Sequence, residues 1–198
     1  CPNTSNKTPK IFMSEEMFDL SLQRLVEIKW RGIVDYNFYN EPTADDRLVD
    51  FVKKTSKTVP GAVSRIVTNG DYLTRDYMRE LIDAGVINFS ISRHYPNSDA
   101  WDRKTAKLLD EFSDYITLHK IWPRSDLSNR GGEVQIENYV PITTCDAPAV
   151  AFNILYNGDV ILCCCDYKRR YVFGNIKNSD LLTIWRSEEF VRQRKNVK

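Results

Sequence analysis

Four of the five cysteines in this 198-residue chain lie between Cys145 and Cys165, and three are consecutive: Cys163, Cys164 and Cys165. Thiolates are soft ligands, so such a cluster suits zinc or an iron–sulfur centre. The same residues could form a disulfide or pack as inert buried thiols, and spacing alone leaves these readings open. The paired C-x-x-C knuckles of common zinc sites are absent. On an extended strand Cys163 and Cys165 share one face and Cys164 takes the other. All three would reach one ion only where the strand breaks.

A hairpin positions these thiols. Asn157-Gly158 is a two-residue turn signal, because both central positions of a type I′ turn need positive φ. Phe152, Ile154 and Tyr156 precede it, and Val160, Ile161 and Leu162 follow it. The first strand starts after Cys145 and the second ends in the triplet, so the open end of the hairpin is expected to bring the four thiols together.

The remaining composition narrows the function classes. The formal net charge is +1, which leaves no electrostatic footprint for nucleic acid or an anionic membrane. No apolar run approaches the roughly 20 residues of a membrane span, and no secretory signal is visible. Five cysteines, odd in number and clustered at one end, do not read as a secreted disulfide framework. A reducing cytoplasm is the expected location.

Ahead of the hairpin the chain alternates helix and strand. Ser14 caps a helix that runs to about Trp30, and Ile33 to Asn40 is a strand. Thr43 caps a second helix to about Lys57, followed by a strand from Ser64 to Thr68. Thr74 caps a third helix ending near Gly85, followed by a strand from Ile87 to Arg93. Residues 98–112 form a fourth helix, and Tyr115 to Ile121 another strand. This alternation predicts an α/β chain of parallel strands with crossover helices. The strands are polar on one face: Asn88, Ser90 and Ser92; Asp35 and Asn37; Thr117 and His119. A sheet buried on both faces would read as continuous Val, Ile and Leu. An open barrel with helices outside and a wet, polar interior accounts for the pattern better. Residues 122–144 read as a linker or substrate-side loop. Ser179-Asp180 caps a final amphipathic helix carrying Leu181, Ile184, Trp185 and Phe190.

These residues resemble the radical SAM superfamily with a C-terminal SPASM or twitch-type auxiliary domain. Cys1-Pro2-Asn3 is similar to the end of the family's C-x-x-x-C-x-x-C loop. Tyr39-Asn40-Glu41-Pro42 is similar to its G-G-E-P, Val67-Thr68-Asn69-Gly70 to its TNG strand end, and Ser90-Ile91-Ser92 to the strand after it. Cys145, Gly158-x4-Cys163-Cys164-x-Asp166, Gly174-Asn175-Ile176 and Ile184-Trp185-x-Ser187 resemble the auxiliary signature. The resemblance implies a partial (β/α)6 TIM-like barrel over residues 1–121, the linker at 122–144, and a small hairpin-plus-helix auxiliary domain over 145–198. It also implies a [4Fe–4S] cluster that uses Cys1, S-adenosylmethionine on that cluster, and a 5′-deoxyadenosyl radical that abstracts a substrate hydrogen. Glu41, with Asn40 and Pro42, would meet the methionyl amino group, and Asn69, Asn88, Ser90 and Ser92 would line the SAM site. An auxiliary iron–sulfur cluster would draw on Cys145, Cys163, Cys164, Cys165 and Asp166. A spare thiol at Cys164 or Cys165 would serve as a hydrogen-atom donor.

Two departures from the pattern carry expectations. One thiolate cannot hold a [4Fe–4S] cluster, so the first two loop cysteines and the first strand are expected upstream of Cys1. No cysteine follows Cys165, so the auxiliary site is expected to be minimal. The family's breadth puts peptide modification (maturation, epimerisation or cross-linking) first. An aminocyclitol or sugar dehydrogenase comes second, and a cluster-free binding protein or a zinc-binding module third. The expected partners are the substrate, peptide or small molecule, and a reductant such as flavodoxin or ferredoxin.

Overall fold

The computed structural model describes residues 11–94, 98–120, 129–136, 139–140 and 145–196. Its contacts divide the chain into two compact units, Lys29–Arg124 and Cys1–Ile28 together with Ser125–Lys198. Among the described residues no helix is long and apolar enough to cross a membrane.

The first unit is a parallel sheet of β1 (Ile33–Asp35), β2 (Val63–Thr68), β3 (Val86–Arg93) and β4 (Ile116–Lys120), connected by α2 (Leu48–Thr58), α3 (Arg75–Ala84) and α4 (Asp99–Phe112). The strands pair in the order β1-β2-β3-β4. A doubly wound sheet reverses direction at a switch point; this order never reverses, as expected for an arc of a barrel. In β2 Ser64, Ile66 and Thr68 are buried while Val63, Arg65 and Val67 are less so. Ile66 pairs with Phe89 and Thr68 with Ile91, so one face of the sheet forms a core with Leu48, Met78, Leu81 and Trp101. Full burial of Phe89 (0% exposed) contributes about 2–3 kcal/mol.

Local signals set most boundaries. Thr74 accepts from the Tyr77 amide and Ser98 from the Trp101 amide, each capping its helix. Gly85, at φ +120°, ends α3. Two expectations are corrected. The first strand stops at Asp35 rather than running to Asn40, because the Asn40 side chain folds back to accept from the Phe38 amide at 2.9 Å. The second helix starts at Leu48, not at Thr43. Residues Pro42–Ala44 instead form a 3₁₀ turn capped by Glu41, which occupies the Thr43 hydroxyl. Ile87 also departs from the expected face. The β2–β3 register passes from Ser64↔Val86 to Arg65↔Asn88 and leaves Ile87 exposed at an irregularity.

The second unit is an antiparallel meander of β5 (Asn153–Ile154), β6 (Asp159–Ile161) and β7 (Val172–Asn175), with α1 (Glu15–Glu27), α5 (Ala147–Val150), α6 (Leu181–Arg186) and α7 (Glu188–Asn196). Helix α1, read from sequence as the start of the barrel, packs here. Met17 joins Val160, Ile176, Leu181, Ile184 and Phe190 in one core, and Arg24 donates to the Ile176 carbonyl at 3.0 Å. The single C-terminal helix expected from sequence is two, broken at Ser187, whose hydroxyl accepts from the Phe190 amide. The hairpin turn is present with a different geometry. Gly158 takes φ +90° while Asn157 stays in the ordinary region. Gly158 donates to the Leu155 carbonyl and Leu155 to the Asp159 carbonyl. The loop is therefore three residues closing on a left-handed Gly, not a type I′ turn. Asn175 secures it, donating to the Asn157 carbonyl and to Asp159.

Candidate active site

Ligands of barrel-type sheets bind at the carboxyl ends of the strands. At that end of β1 and β2 the Glu41 carboxylate is held by four donors. Oε1 accepts from the Thr43 amide (3.1 Å), the Thr43 hydroxyl (2.5 Å) and the Thr68 hydroxyl (2.6 Å). Oε2 accepts from the Asn69 amide at 2.9 Å. Thr68 Oγ1 in turn accepts from the Gly70 amide at 3.0 Å, and Trp101 Nε1 donates to the Asn69 carbonyl at 3.0 Å. Glu41 can be gripped this way because it caps the 3₁₀ turn, where Pro42 fixes its own φ and turns the following amide back on the carboxylate. Oε2 accepts one donor where Oε1 accepts three, so Oε2 is the less occupied oxygen and the one that suits a cation. Asn69 contributes its backbone here, and its side chain accepts from the Asp71 amide. Asn40 is exposed and caps its own loop. The sequence read Thr43 as a helix cap and Thr68 as part of a strand-end motif; their role as donors to Glu41 comes from the tertiary approach of the two segments.

The face of this sheet opposite the core is a polar row. Register places Asp35 beside Arg65, Arg65 beside Asn88, Ser90 beside Thr117 and Ser92 beside His119. Arg65 grips Asp35 through two bonds of 2.8 and 2.7 Å, and the Asp35 carboxylate raises the Arg65 pKa. Asn88 donates to the Thr117 hydroxyl at 3.0 Å. Asn88, Ser90 and Ser92 thus share a face, and all three are half-buried.

The thiols sit elsewhere, in the second unit. Strand β6 ends at Ile161, and Cys163 to Asp166 is a turn in which the Asp166 amide donates to the Cys163 carbonyl at 3.1 Å. This supplies the strand break that the chemistry required: the consecutive cysteines no longer alternate between faces. The Cys165 amide donates to Cys163 Sγ at 3.4 Å. Hydrogen bonding with Cys165, then burial, pushes both the Cys163 and Cys164 thiols up, while the Arg130 guanidinium opposes the shift at Cys164. Arg130 Nη1 lies 3.1 Å from Cys164 Sγ. Asp166 is engaged by backbone, accepting from the Arg170 and Tyr171 amides at 2.8 Å each, which fixes the chain after the turn.

Cys145 is exposed just before α5, and Cys163, Cys164 and Cys165 are half-buried. Among the described residues no set of three or more His, Cys, Asp or Glu side chains converges as a metal centre. The donor chemistry of the turn nonetheless fits an iron–sulfur group: three free, soft thiols on one break in a strand, two of them hydrogen-bonded with the third, and a cation at one sulfur. Cys1 lies outside the described residues, as does much of the 122–144 loop. Arg130 was missed in sequence because it falls in that loop, where a Ser-Asn-Arg-Gly-Gly run reads as linker.

Residues 145–198 match the SPASM family, an iron-sulfur cluster-binding domain. Over its full length the chain is 27% identical to an S-adenosyl-L-methionine-dependent 2-deoxy-scyllo-inosamine dehydrogenase of Niallia circulans and covers 80% of that protein. It superposes on a crystal structure of BtrN in complex with AdoMet and 2-DOIA with a TM-score of 0.89 and 26% identity, covering 100% of this chain and 80% of that one. Native anSMEcpe with bound AdoMet shares the fold alone, with a TM-score of 0.52 and 12% identity over 95% of this chain and 75% of that one. A parallel sheet in barrel order, a buttressed glutamate at its carboxyl edge and a cysteine turn in a matching domain converge with these likenesses, and together they support a radical SAM superfamily protein with a C-terminal SPASM domain.

Proposed function

We propose that this chain is a radical SAM dehydrogenase of an amino-polyol, oxidising a secondary alcohol to a ketone. The observation that carries the reading is the relation to an aminocyclitol dehydrogenase across the whole chain rather than at the cysteines alone. The peptide-modifying reading, put first by the family's breadth, has less behind it, since the whole-length relative is a small-molecule enzyme. When bound, S-adenosylmethionine on a [4Fe–4S] cluster would supply a radical able to take the carbinol hydrogen. The substrate must then lose one proton and one electron to become a carbonyl, and the electron requires an acceptor.

The chain's residues have definable parts. Glu41, through the less occupied Oε2, receives the methionyl ammonium. Asn88, Ser90 and Ser92 offer hydroxyls and an amide to the ribose or to substrate hydroxyls. Cys163, Cys164 and Cys165 would hold an iron–sulfur group, which would supply an acceptor for that electron. Dehydrogenation returns no hydrogen to the substrate, so Cys164 and Cys165 act as ligands and not as hydrogen-atom donors. A flavodoxin- or ferredoxin-type reductant, in a reducing cytoplasm, primes the reaction.

The test is anaerobic turnover of the full-length, iron-reconstituted protein with S-adenosylmethionine, a reductant and 2-deoxy-scyllo-inosamine. Matched amounts of 5′-deoxyadenosine and ketone are expected. Deoxyadenosine formed without consumption of any amino-polyol, together with modification of a peptide, would overturn the assignment.

A further inference from the structure

The Asn129–Val134 turn lies directly on the cysteines. Arg130 Nη1 donates to Cys164 Sγ at 3.1 Å. The neighbouring Gly131 is so close that a Cβ there would stand 2.7 Å from the Cys165 carbonyl oxygen. Glu133 ties the turn to the chain beyond the cysteines, with Lys168 at 2.9 Å and Arg170 at 3.9 Å. Arg130, Gly131 and Gly132 all have positive φ, at +52°, +68° and +92°. Glycine adopts that region freely, but a non-glycine residue costs about 1–2 kcal/mol there. The strain falls on the residue whose side chain reaches the sulfur.

We propose that Arg130 raises the reduction potential of the iron–sulfur group held at the Cys163–Asp166 turn by donating to the Cys164 sulfur. The inference rests on the iron–sulfur reading above. Reduction adds negative charge to the cluster and its thiolates. A guanidinium bonded to one sulfur stabilises the reduced form more than the oxidised form. Arginine is suited to this because it stays protonated at any working pH, and it donates without competing as a ligand. A higher potential makes the group a better acceptor for the substrate electron.

The experiment is EPR-monitored redox titration of the full-length, anaerobically reconstituted protein in a Cys1→Ala background, which removes a ligand of the SAM cluster and leaves the auxiliary signal. Arg130→Gln is expected to keep its iron and sulfide content and to shift the midpoint to a more negative value. Arg130→Lys, which keeps the charge but not the planar fork, is expected to fall between the two. An unchanged midpoint in Arg130→Gln overturns the proposal. If that variant loses iron, Arg130→Lys decides: a negative shift supports the role, and the parent value refutes it. A parent protein that binds no iron at this turn, with no loss of iron on Cys163→Ala, overturns both this inference and the iron–sulfur reading. A parent cluster indifferent to Arg130 overturns the inference alone.

Discussion

Replacing Glu41 by glutamine separates its two duties. Oε1 faces three donors and Oε2 one, the Asn69 amide. The amide side chain keeps its oxygen toward the three donors, so its NH2 must face the Asn69 N–H. That breaks the 2.9 Å bond and leaves a half-buried donor unpaired, at a cost of about 1–3 kcal/mol. For a chain of this length the melting temperature should fall by about 2–12 °C. The same change removes the negative charge offered to a methionyl ammonium, so affinity for S-adenosylmethionine should weaken by about 10–100-fold. Calorimetric unfolding and titration calorimetry with S-adenosylmethionine read the two effects. Thr68→Val serves as the control. It loses the hydroxyl bond to Oε1 but keeps the charge, so it should lower the melting temperature with much less effect on affinity. If Glu41→Gln melts like the parent and binds S-adenosylmethionine equally well, the carboxylate neither ties the strand ends nor receives the ligand.

Gly131→Ala should be more harmful than Gly132→Ala, although both have positive φ. Both meet the backbone penalty of about 1–2 kcal/mol, but only Gly131 faces a backbone oxygen at 2.7 Å, while nothing lies within 4 Å of Gly132. Unfolding experiments should rank them so, and equal losses would mean the turn does not rest on Cys165. Asp45 gives a pH signature. Hydrogen bonding to Arg47 holds its carboxyl below the usual carboxylate value, so its stabilising contribution is present above about pH 3.9 and is lost as the pH falls through the lowered folded value. Asp45→Asn should destabilise by less than about 1 kcal/mol near neutrality, with the gap closing in acid; a gap independent of pH would refute the assignment.

Legibility followed the range of the interaction. The caps at Ser14, Thr74 and Asp180 were readable because a hydroxyl or carboxylate reaches an amide three residues on. The polar strand faces were readable because pleating has a period of two residues, and register then set Ser90 beside Thr117. The Asn157-Gly158 turn was located correctly but its type was not. That choice depends on how Asn175, distant in sequence, holds the loop. The broken C-terminal helix was missed because Ser187 looks like any helical serine until its hydroxyl caps the next segment.

The sequence by itself determined the alternation of helix and strand, the polar lining of one sheet face, and the position of a hairpin just ahead of the cysteine triplet. These depend on periodicity and on neighbours a few residues away. Only the tertiary structure decided that Glu41 is buttressed by Thr43 and Thr68, that α1 packs with the meander rather than with the parallel sheet, and that Arg130 reaches Cys164. Each of the last two joins groups far apart in the chain. No local pattern encodes them, because the partner of a guanidinium or a helix face is chosen by which surfaces the folded chain leaves within reach.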